Sequence, residues 1–316
     1  MRNRQKKGGR MSLIEFLLRT ESLLKQDLAR EKTKHTGAIF HYTSPEGLKG
    51  ILENGKIWFS NARFLNDSSE NNYIYTILPS SPDIYTEQLL DKKFFELITK
   101  IANSYIANDY CDIDDNRWWA DHVYVASFSK DKDNLGLWNY YTKNQNSVGY
   151  NLGFTTMPFD FDPPYFKFIH GEVIYKPKIQ KDFIKNILLK YNELYVNHKA
   201  QIVYGSKEKQ LFVKSFLDIL ELHNIFFKPR AYSGEKEYRC AIYNITNYAG
   251  MLPKTRITNG LLLPYFELPF EKDLLSTLRI SPTGNAILLK QGLEIFNVMH
   301  GYENIVIYPS NIPKRY

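Results

Sequence analysis

From Ser12 onward, apolar residues recur every three or four positions: Leu13, Phe16, Leu17, Leu24 and Leu28. That spacing predicts a helix to about Glu31, opened by the capping box Ser12-x-x-Glu15. After Gly37 the period changes. Ala38–Thr43 reads as a strand, Ser44 as a helix N-cap with Pro45 at the first helical position, Gly55 as the stop, and Lys56–Asn61 as a returning strand. Ile84–Asn108 shows helical spacing through Leu89, Leu90, Phe94, Phe95, Leu97, Ile98 and Ile101. Val123–Ser129 and Ser147–Phe154 alternate as half-buried strands, with a short aromatic helix, Asn134–Thr142, between them. A Pro-containing loop around 158–164 precedes a strand near Glu172–Tyr175. Helices are predicted at Lys181–Asn197 and Lys207–His223. A strand carrying Glu237 follows, then strands at Leu261–Glu267 and Thr277–Ser281, a helix at Asn285–His300 and a last strand at Asn304–Tyr308. With no repeat and no low-complexity linker, the pattern predicts an α+β fold: a basic arm and amphipathic helix over 1–36, and one strand-rich domain with helical insertions over 37–316.

Composition narrows the field. The chain has 316 residues, 43% of them apolar, which is enough for a substantial core and argues against disorder. A net charge of +7 favours acidic partners, nucleic acid first among them, although scattered surface lysines give the same sum. The two cysteines, Cys111 and Cys240, lie far apart, so neither a zinc site nor a disulfide framework is expected, and a reduced, cytoplasmic setting is. No apolar run reaches the roughly 18 residues of a membrane helix. The basic start, 1–10, lacks the apolar segment of a secretion signal and reads as a mobile tail; contact with phosphate and a true start at Met11 are the alternatives.

The stretch richest in chemistry is Tyr232-Ser233-Gly234-Glu235-Lys236-Glu237-Tyr238-Arg239. Strand alternation would put Glu235, Glu237 and Arg239 on one face and Tyr238, Cys240 and Ile242 on the other. The partner expected for it is His41-Tyr42-Thr43, far upstream. Just before it, Lys228, Arg230 and Tyr232 combine charge for phosphate with an aromatic face for a base, a composition that suits single-stranded nucleic acid.

Several of these segments together resemble a known family. They are His41-Tyr42-Thr43; Ile57-Trp58-Phe59-Ser60 leading to Phe64-Leu65-Asn66-Asp67-x-x-Glu70; Ser127-Phe128-Ser129; Leu137-Trp138-Asn139-Tyr140-Tyr141; Val148-Gly149-Tyr150; Gly153-Phe154; Glu235-Lys236-Glu237-Tyr238-Arg239; and Ser310-x-Ile312-Pro313-x-Arg315. Their order and spacing resemble the bacterial family catalogued as domain of unknown function twenty-nine seventy-one. That resemblance implies an ADP-ribosyltransferase-like fold, two strongly bent small sheets with an NAD cleft between them. Better-known members of that superfamily use a His or Arg on the first strand, a Ser or Tyr on the second and a Glu later. Carried over by position, these are His41, Ser60 and Glu237, with Glu235 at the outer position that engages the acceptor. Ser60-Asn61-Ala62 departs from the Ser-Thr-Ser of clearer members. The superfamily includes toxins that modify nucleic acid, among them the mRNA-modifying toxin of an anti-phage toxin–antitoxin–chaperone system, similar to this chain in size and basicity.

The resemblance implies NAD as substrate, no metal, and roles for named residues. Breaking the nicotinamide–ribose bond develops positive charge on the sugar, which a prearranged Glu237 carboxylate would stabilise. Arg239 would keep that carboxylate ionised. His41 would hydrogen-bond the adenosine ribose, with Thr43 steadying the strand end. Tyr42, though beside them, faces the core. An aromatic over nicotinamide is expected from Phe64, Tyr73 or Tyr75.

Plainer readings stand beside these. A lone strand His is usually structural, Glu237 with Arg239 is commonly an ion pair, and Trp138 and Tyr141 fit a core or a cleft wall. Asn66, Asp67 and Glu70 suit the cap of a following helix. The expected function is ADP-ribosylation of nucleic acid, most simply RNA, by a toxin of a toxin–antitoxin or anti-phage defence system. The alternatives are ADP-ribosylation of protein, NAD hydrolysis, or a non-catalytic nucleic-acid-binding module. The N-terminal helix is expected to pack on the domain, with docking of an antitoxin protein as its other use.

Overall fold

In the computed structural model, the described residues are 12–32, 37–64, 68–78, 89–106, 123–141, 148–159, 166–243, 252–258 and 260–313. The caps read from the sequence set the first elements. The Ser12 hydroxyl accepts from the Glu15 amide, and the Glu15 carboxylate accepts from the Ser12 amide at 2.9 Å, which opens α1 (Leu13–Lys32). Next come β1 (Ile39–Thr43), α2 (Pro45–Asn54) and β2 (Lys56–Asn61). Ser44 Oγ accepts from Gly47 N at 3.1 Å, and Gly55 ends α2 at φ 60°, where a side chain would be strained.

Beyond these lie α3 (Ser68–Ile77), α4 (Lys92–Ile106), β3 (Tyr124–Ser129), α5 (Leu135–Tyr141), β4 (Tyr150–Phe154) and β5 (Lys167–Glu172). Two long helices follow, α6 (Pro177–His198) and α7 (Lys207–Asn224), then β6 (Glu237–Tyr243), β7 (Lys254–Thr258), β8 (Leu261–Pro269), β9 (Leu275–Ile280), α8 (Ala286–His300) and β10 (Val306–Pro309). No helix among the described residues is long and apolar enough to cross a membrane.

Hydrogen bonds join the strands into two half-sheets, β10-β9-β4-β1 and β5-β6-β3-β2-β8-β7. The link between β1 and β3 is a single pair, Phe40 opposite Ser129. The same edge of β3 meets β2 only at its start, through Ser60–Val125 and Asn61–Tyr124. Between those points, Ala126, Ser127 and Phe128 have no strand partner on that edge, while β6 pairs with the whole of the other edge. The fold therefore contains a gap where β1 and β3 diverge.

One face of the sheet is filled by Ile39, Leu48, Phe59, Phe128, Phe154, Tyr238 and Leu278. Over the other face of β3, β5 and β6 lie helices, meeting at Val125, Ile169, Leu222, Phe226 and Ala241. α1 belongs to the helical layer: Leu13, Leu17 and Leu24 pack with Ile184, Leu188, Phe212 and Phe216. The amphipathic face predicted for α1 is thus used within the chain.

Four elements depart from the sequence reading. α4 begins at Lys92, because the Asp91 side chain accepts from Lys93 N at 2.9 Å and caps it; residues 84–88 lie outside the described ones. The strand expected at 172–175 runs instead over 167–172, and Ile174 forms an isolated bridge to Phe227. α6 starts at Pro177, the position that tolerates a proline, rather than at Lys181. β7 was absent from the reading; it is a short edge strand, and Lys254-Thr255-Arg256-Ile257-Thr258 carries little apolar signal.

A candidate site at the gap between two strands

Glu237 opens β6, and Arg239 stands two residues on, on the same face. Both are buried, at 7% and 2% exposure. The guanidinium grips the carboxylate with two nitrogens, Nε to Oε1 at 2.7 Å and Nη2 to Oε2 at 2.9 Å. Arg239 Nη1 also donates to the Ile225 carbonyl at 2.7 Å, at the C-terminal end of α7, where a positive charge is favoured. Lys228, 6% exposed, brings its ammonium to Glu237 Oε2 at 3.3 Å and to Glu235 Oε2 at 2.5 Å. Burial opposes ionisation of Glu237. The Arg239 and Lys228 charges, with hydrogen bonds from Arg239 and Ser127, outweigh it and bring its pKa to about 2.

Glu235 reaches this cluster by a route the sequence reading did not anticipate. The strand starts at Glu237, so the expected alternation of three charges along it is not what brings Glu235 in. Glu235 ends a 3-10 turn (Arg230–Glu235), and Lys236 then adopts φ 47°, an uncommon conformation for a residue with a side chain. The β3–α5 connection holds the turn: Ser129 Oγ donates to the Glu235 carbonyl at 2.7 Å, Asn134 Nδ2 to the Gly234 carbonyl at 2.8 Å, and Lys236 Nζ pairs with Asp131 at 3.1 Å.

His41 approaches from the other half-sheet. Partners across antiparallel strands share a face, so Phe40, Ser127, Ser129, Glu237 and Arg239 lie on one side and His41 on the other, beside Phe128 with ring centroids 5.3 Å apart. His41 reaches the gap nonetheless, and its Nδ1 lies 2.9 Å from the Ser127 carbonyl. A carbonyl only accepts, so Nδ1 carries the proton. Burial lowers the pKa of the ring, and the nearby Arg256 charge lowers it further, against the Ser127 carbonyl, which favours protonation. A neutral ring protonated at Nδ1 leaves Nε2 as an acceptor.

Ser127 is therefore the meeting point. Its carbonyl receives His41, and its hydroxyl lies on the Glu237 face of β3, close enough to favour the ionised carboxylate. The position-by-position transfer had chosen Ser60. Ser60 is buried on β2, and its hydroxyl accepts from Arg256 Nη2 at 2.9 Å. Arg256 in turn lies over Trp58, 4.9 Å from the ring centroid, and over Tyr265 at 5.8 Å. Ser127 was in view as part of Ser127-Phe128-Ser129, but only strand pairing shows that it stands between His41 and Glu237. Trp58 stood in the segment Ile57-Trp58-Phe59-Ser60 without an assigned role, and Arg256 stood in no motif.

The remaining candidates divide. Tyr42 is 3% exposed; its hydroxyl donates to the Asp131 carbonyl at 2.8 Å and accepts from Asn134 N at 2.9 Å, bracing the connection that holds the Glu235 turn. Its side chain is thus a brace inside the fold. Thr43 packs against the first turn of α2, where a Cβ on Gly47 would stand 2.1 Å from its Oγ1. Phe64 is exposed beside the end of β2. Tyr73 and Tyr75 join the helical core, so neither supplies the aromatic face expected over nicotinamide. Lys228 also needs correction as a nucleic-acid contact, because its ammonium is buried between two carboxylates. Arg230 and Tyr232 are exposed on the turn, the Tyr232 ring 4.9 Å from the Lys228 ammonium. Trp138 is fully buried and donates to Asp133 at 2.7 Å. Cys240 is buried, and burial pushes its thiol pKa well up. Cys111, Asn66, Asp67 and Arg315 lie outside the described residues. No group of three or more His, Cys, Asp or Glu that could hold a metal ion occurs among the described residues.

The family description "Protein of unknown function (DUF2971)" matches residues 137–240, from α5 to the middle of β6, and so includes Glu235, Glu237 and Arg239. The match supports the domain-of-unknown-function family over that stretch. No curated protein and no solved structure matches the chain.

Proposed function

We propose that this protein is an NAD-dependent ADP-ribosyltransferase whose acceptor is nucleic acid, RNA in particular, and that it acts as a toxin in a toxin–antitoxin or anti-phage defence system. The observation that carries the enzymatic reading is the approach of His41 to the Ser127 carbonyl at a gap between two half-sheets, beside the strand that begins with the ionised Glu237. The acceptor and the toxin role rest on the family resemblance and on exposed Arg230 and Tyr232 beside the site.

The residues present fit NAD. Nε2 of His41 is an acceptor for a ribose hydroxyl, Phe64 offers an exposed aromatic face near the end of β2, and Glu237 is a carboxylate held ionised at neutral pH. NAD supplies a good leaving group, so the bond to nicotinamide breaks as positive charge builds on the ribose. Glu237 opposes that charge and is fixed in advance by Arg239, so no reorganisation is needed at the moment of reaction. Its 3.3 Å contact to Lys228 is the longest in the cluster and the first to yield to a ribose hydroxyl. Glu235 is the more open carboxylate, with 32% side-chain exposure against 9% for Glu237, and stands where it can take the acceptor's proton.

Incubation with labelled NAD, RNA, DNA and total protein tests this reading. Label on RNA, lost in Glu237→Gln while the chain stays folded, is the expected outcome. Label on protein alone, or free ADP-ribose with nothing modified, discards the RNA acceptor. A second reading, a binding module without catalysis, draws on the grip that Arg239 and Lys228 keep on both oxygens of Glu237. Salt-sensitive RNA binding without any NAD turnover would select it.

A further inference from the structure

Across the gap from Glu237, the outward face of β1, β4 and β9 carries a cavity of about 460 Å³. The β3–α5 connection separates the two places. Its Asp131 pairs with Lys236, next to Glu237, whereas its Lys132 lines the cavity. Strand register builds the floor: Phe40, Gly153 and Thr277 lie side by side, as do Tyr42, Asn151 and Arg279. Gly153 is required there. A Cβ at that position would stand 2.2 Å from Thr277 Oγ1 and 2.9 Å from the Phe40 ring. With glycine in place, the Phe40 ring lies close over the strand and the space above remains open.

Three kinds of group face this space. Arg279 donates one Nη1 bond to the Pro309 carbonyl at 2.8 Å, and the same nitrogen stands 3.7 Å from Asp133, whose carboxylate already accepts from Trp138, Ser310 and Asn311. Nε and Nη2 of Arg279 have no hydrogen-bond partner among the described residues, and Lys132 has no ion pair among them. Two aromatic residues, Phe40 and Tyr308, also line it, and the Arg279 guanidinium lies 5.4 Å from the Tyr308 ring centroid. Asn151 is 1% exposed; its Nδ2 donates to the Lys132 carbonyl, while its Oδ1 is buried without a hydrogen-bond partner.

We propose that this cavity binds a mononucleotide: phosphate on Arg279 and Lys132, and base against Phe40 and Tyr308. Arginine with lysine favours phosphate over a neutral ligand, and the aromatic walls favour a nucleotide over bare phosphate. The cavity lies within the ~300–1,000 Å³ range usual for small-ligand clefts. The assignment is independent of NAD chemistry at the gap.

Isothermal titration of the full chain with adenosine and uridine 5′-monophosphates, adenosine and inorganic phosphate tests it. Saturable binding of at least one monophosphate is expected, with adenosine and phosphate each weaker by about tenfold or more. Lys132→Glu, at an exposed position with no ion pair, should weaken the monophosphate by about tenfold and leave adenosine unchanged. His41→Gln alters the gap and not the cavity, and should bind as the wild type does, whether or not NAD is turned over. Absence of binding at millimolar ligand, binding indifferent to both Lys132→Glu and Arg279→Gln, or binding lost in His41→Gln alone would each overturn the assignment.

Discussion

The two half-sheets handle charge in opposite ways. On the β3–β6 side, two carboxylates and two cations cluster, all but Glu235 buried: Arg239 and Lys228 hold Glu237, and Lys228 also holds Glu235. On the β1–β9 side, Arg279 and Lys132 border an open cavity with donors to spare, and Asn151 keeps an acceptor without a donor. A net charge of +7 says nothing about which cations can meet a partner. Lys228 sits in the loop that composition marked for phosphate and is internally neutralised, whereas Lys132 and Arg279 belonged to no motif. Availability follows from packing.

The sharpest way to break this contrast is to unbalance the saturated side. Arg239→Met leaves Glu237 buried with Lys228 as its remaining cation and should cost about 3–5 kcal/mol in urea unfolding. The double variant Glu237→Gln/Arg239→Met, which removes both charges, should recover most of that loss. A single-variant cost below about 1 kcal/mol would mean that the pair is not buried as described.

Acid should expose the same cluster. The folded pKa of Glu237, about 2, lies below the unfolded value of 4.5. Its contribution is therefore fully present above pH 4.5 and is lost as pH falls toward 2. His41 adds a smaller dependence at higher pH. Its folded pKa is lowered from 6.5, so its contribution is complete above that value and declines as pH drops below it. Proton NMR titration should find the His41 ring neutral at pH 6.5; a pKa above 6.5 would contradict the buried, Arg256-facing ring.

Smaller effects sharpen the picture. Tyr42→Phe removes the hydroxyl between Asp131 and Asn134 and should cost about 1–2 kcal/mol, with faster amide exchange across the 230–236 turn. An unchanged turn would detach Tyr42 from the placement of Glu235. Arg230→Gln, on the exposed turn, should leave stability within about 0.5 kcal/mol while reducing the salt dependence of RNA binding by about one counterion. An unchanged salt slope would remove Arg230 from the nucleic-acid surface.

Local rules made much of the fold readable. Ser12 with Glu15, Ser44 with Pro45, and Gly55 are side-chain and backbone preferences that act within a turn or two; α1 begins, and α2 begins and ends, where those residues place them. β7 was invisible because a short edge strand needs little apolar alternation. The Glu235 turn was misread because Glu-Lys-Glu alternates on paper, whereas Lys236 reverses its backbone at φ 47°. The serine was the least legible part: transfer by position gives Ser60, whereas the contact to His41 lies at Ser127. Both follow an aromatic-rich strand pattern, and what separates them is pairing between residues some 90 positions apart, for which a one-dimensional period carries no signal. The His and Glu of the candidate site were singled out through family resemblance; the serine beside them became legible only from strand register.

The most direct test of the central claim is transfer of labelled ADP-ribose from NAD to RNA by the wild type and by Glu237→Gln, with circular dichroism recorded on both. If the gap is an NAD site, the wild type labels RNA and the folded variant loses that activity by about 100-fold or more. A folded Glu237→Gln protein that transfers label at the wild-type rate, or a wild type that consumes no NAD, would contradict it.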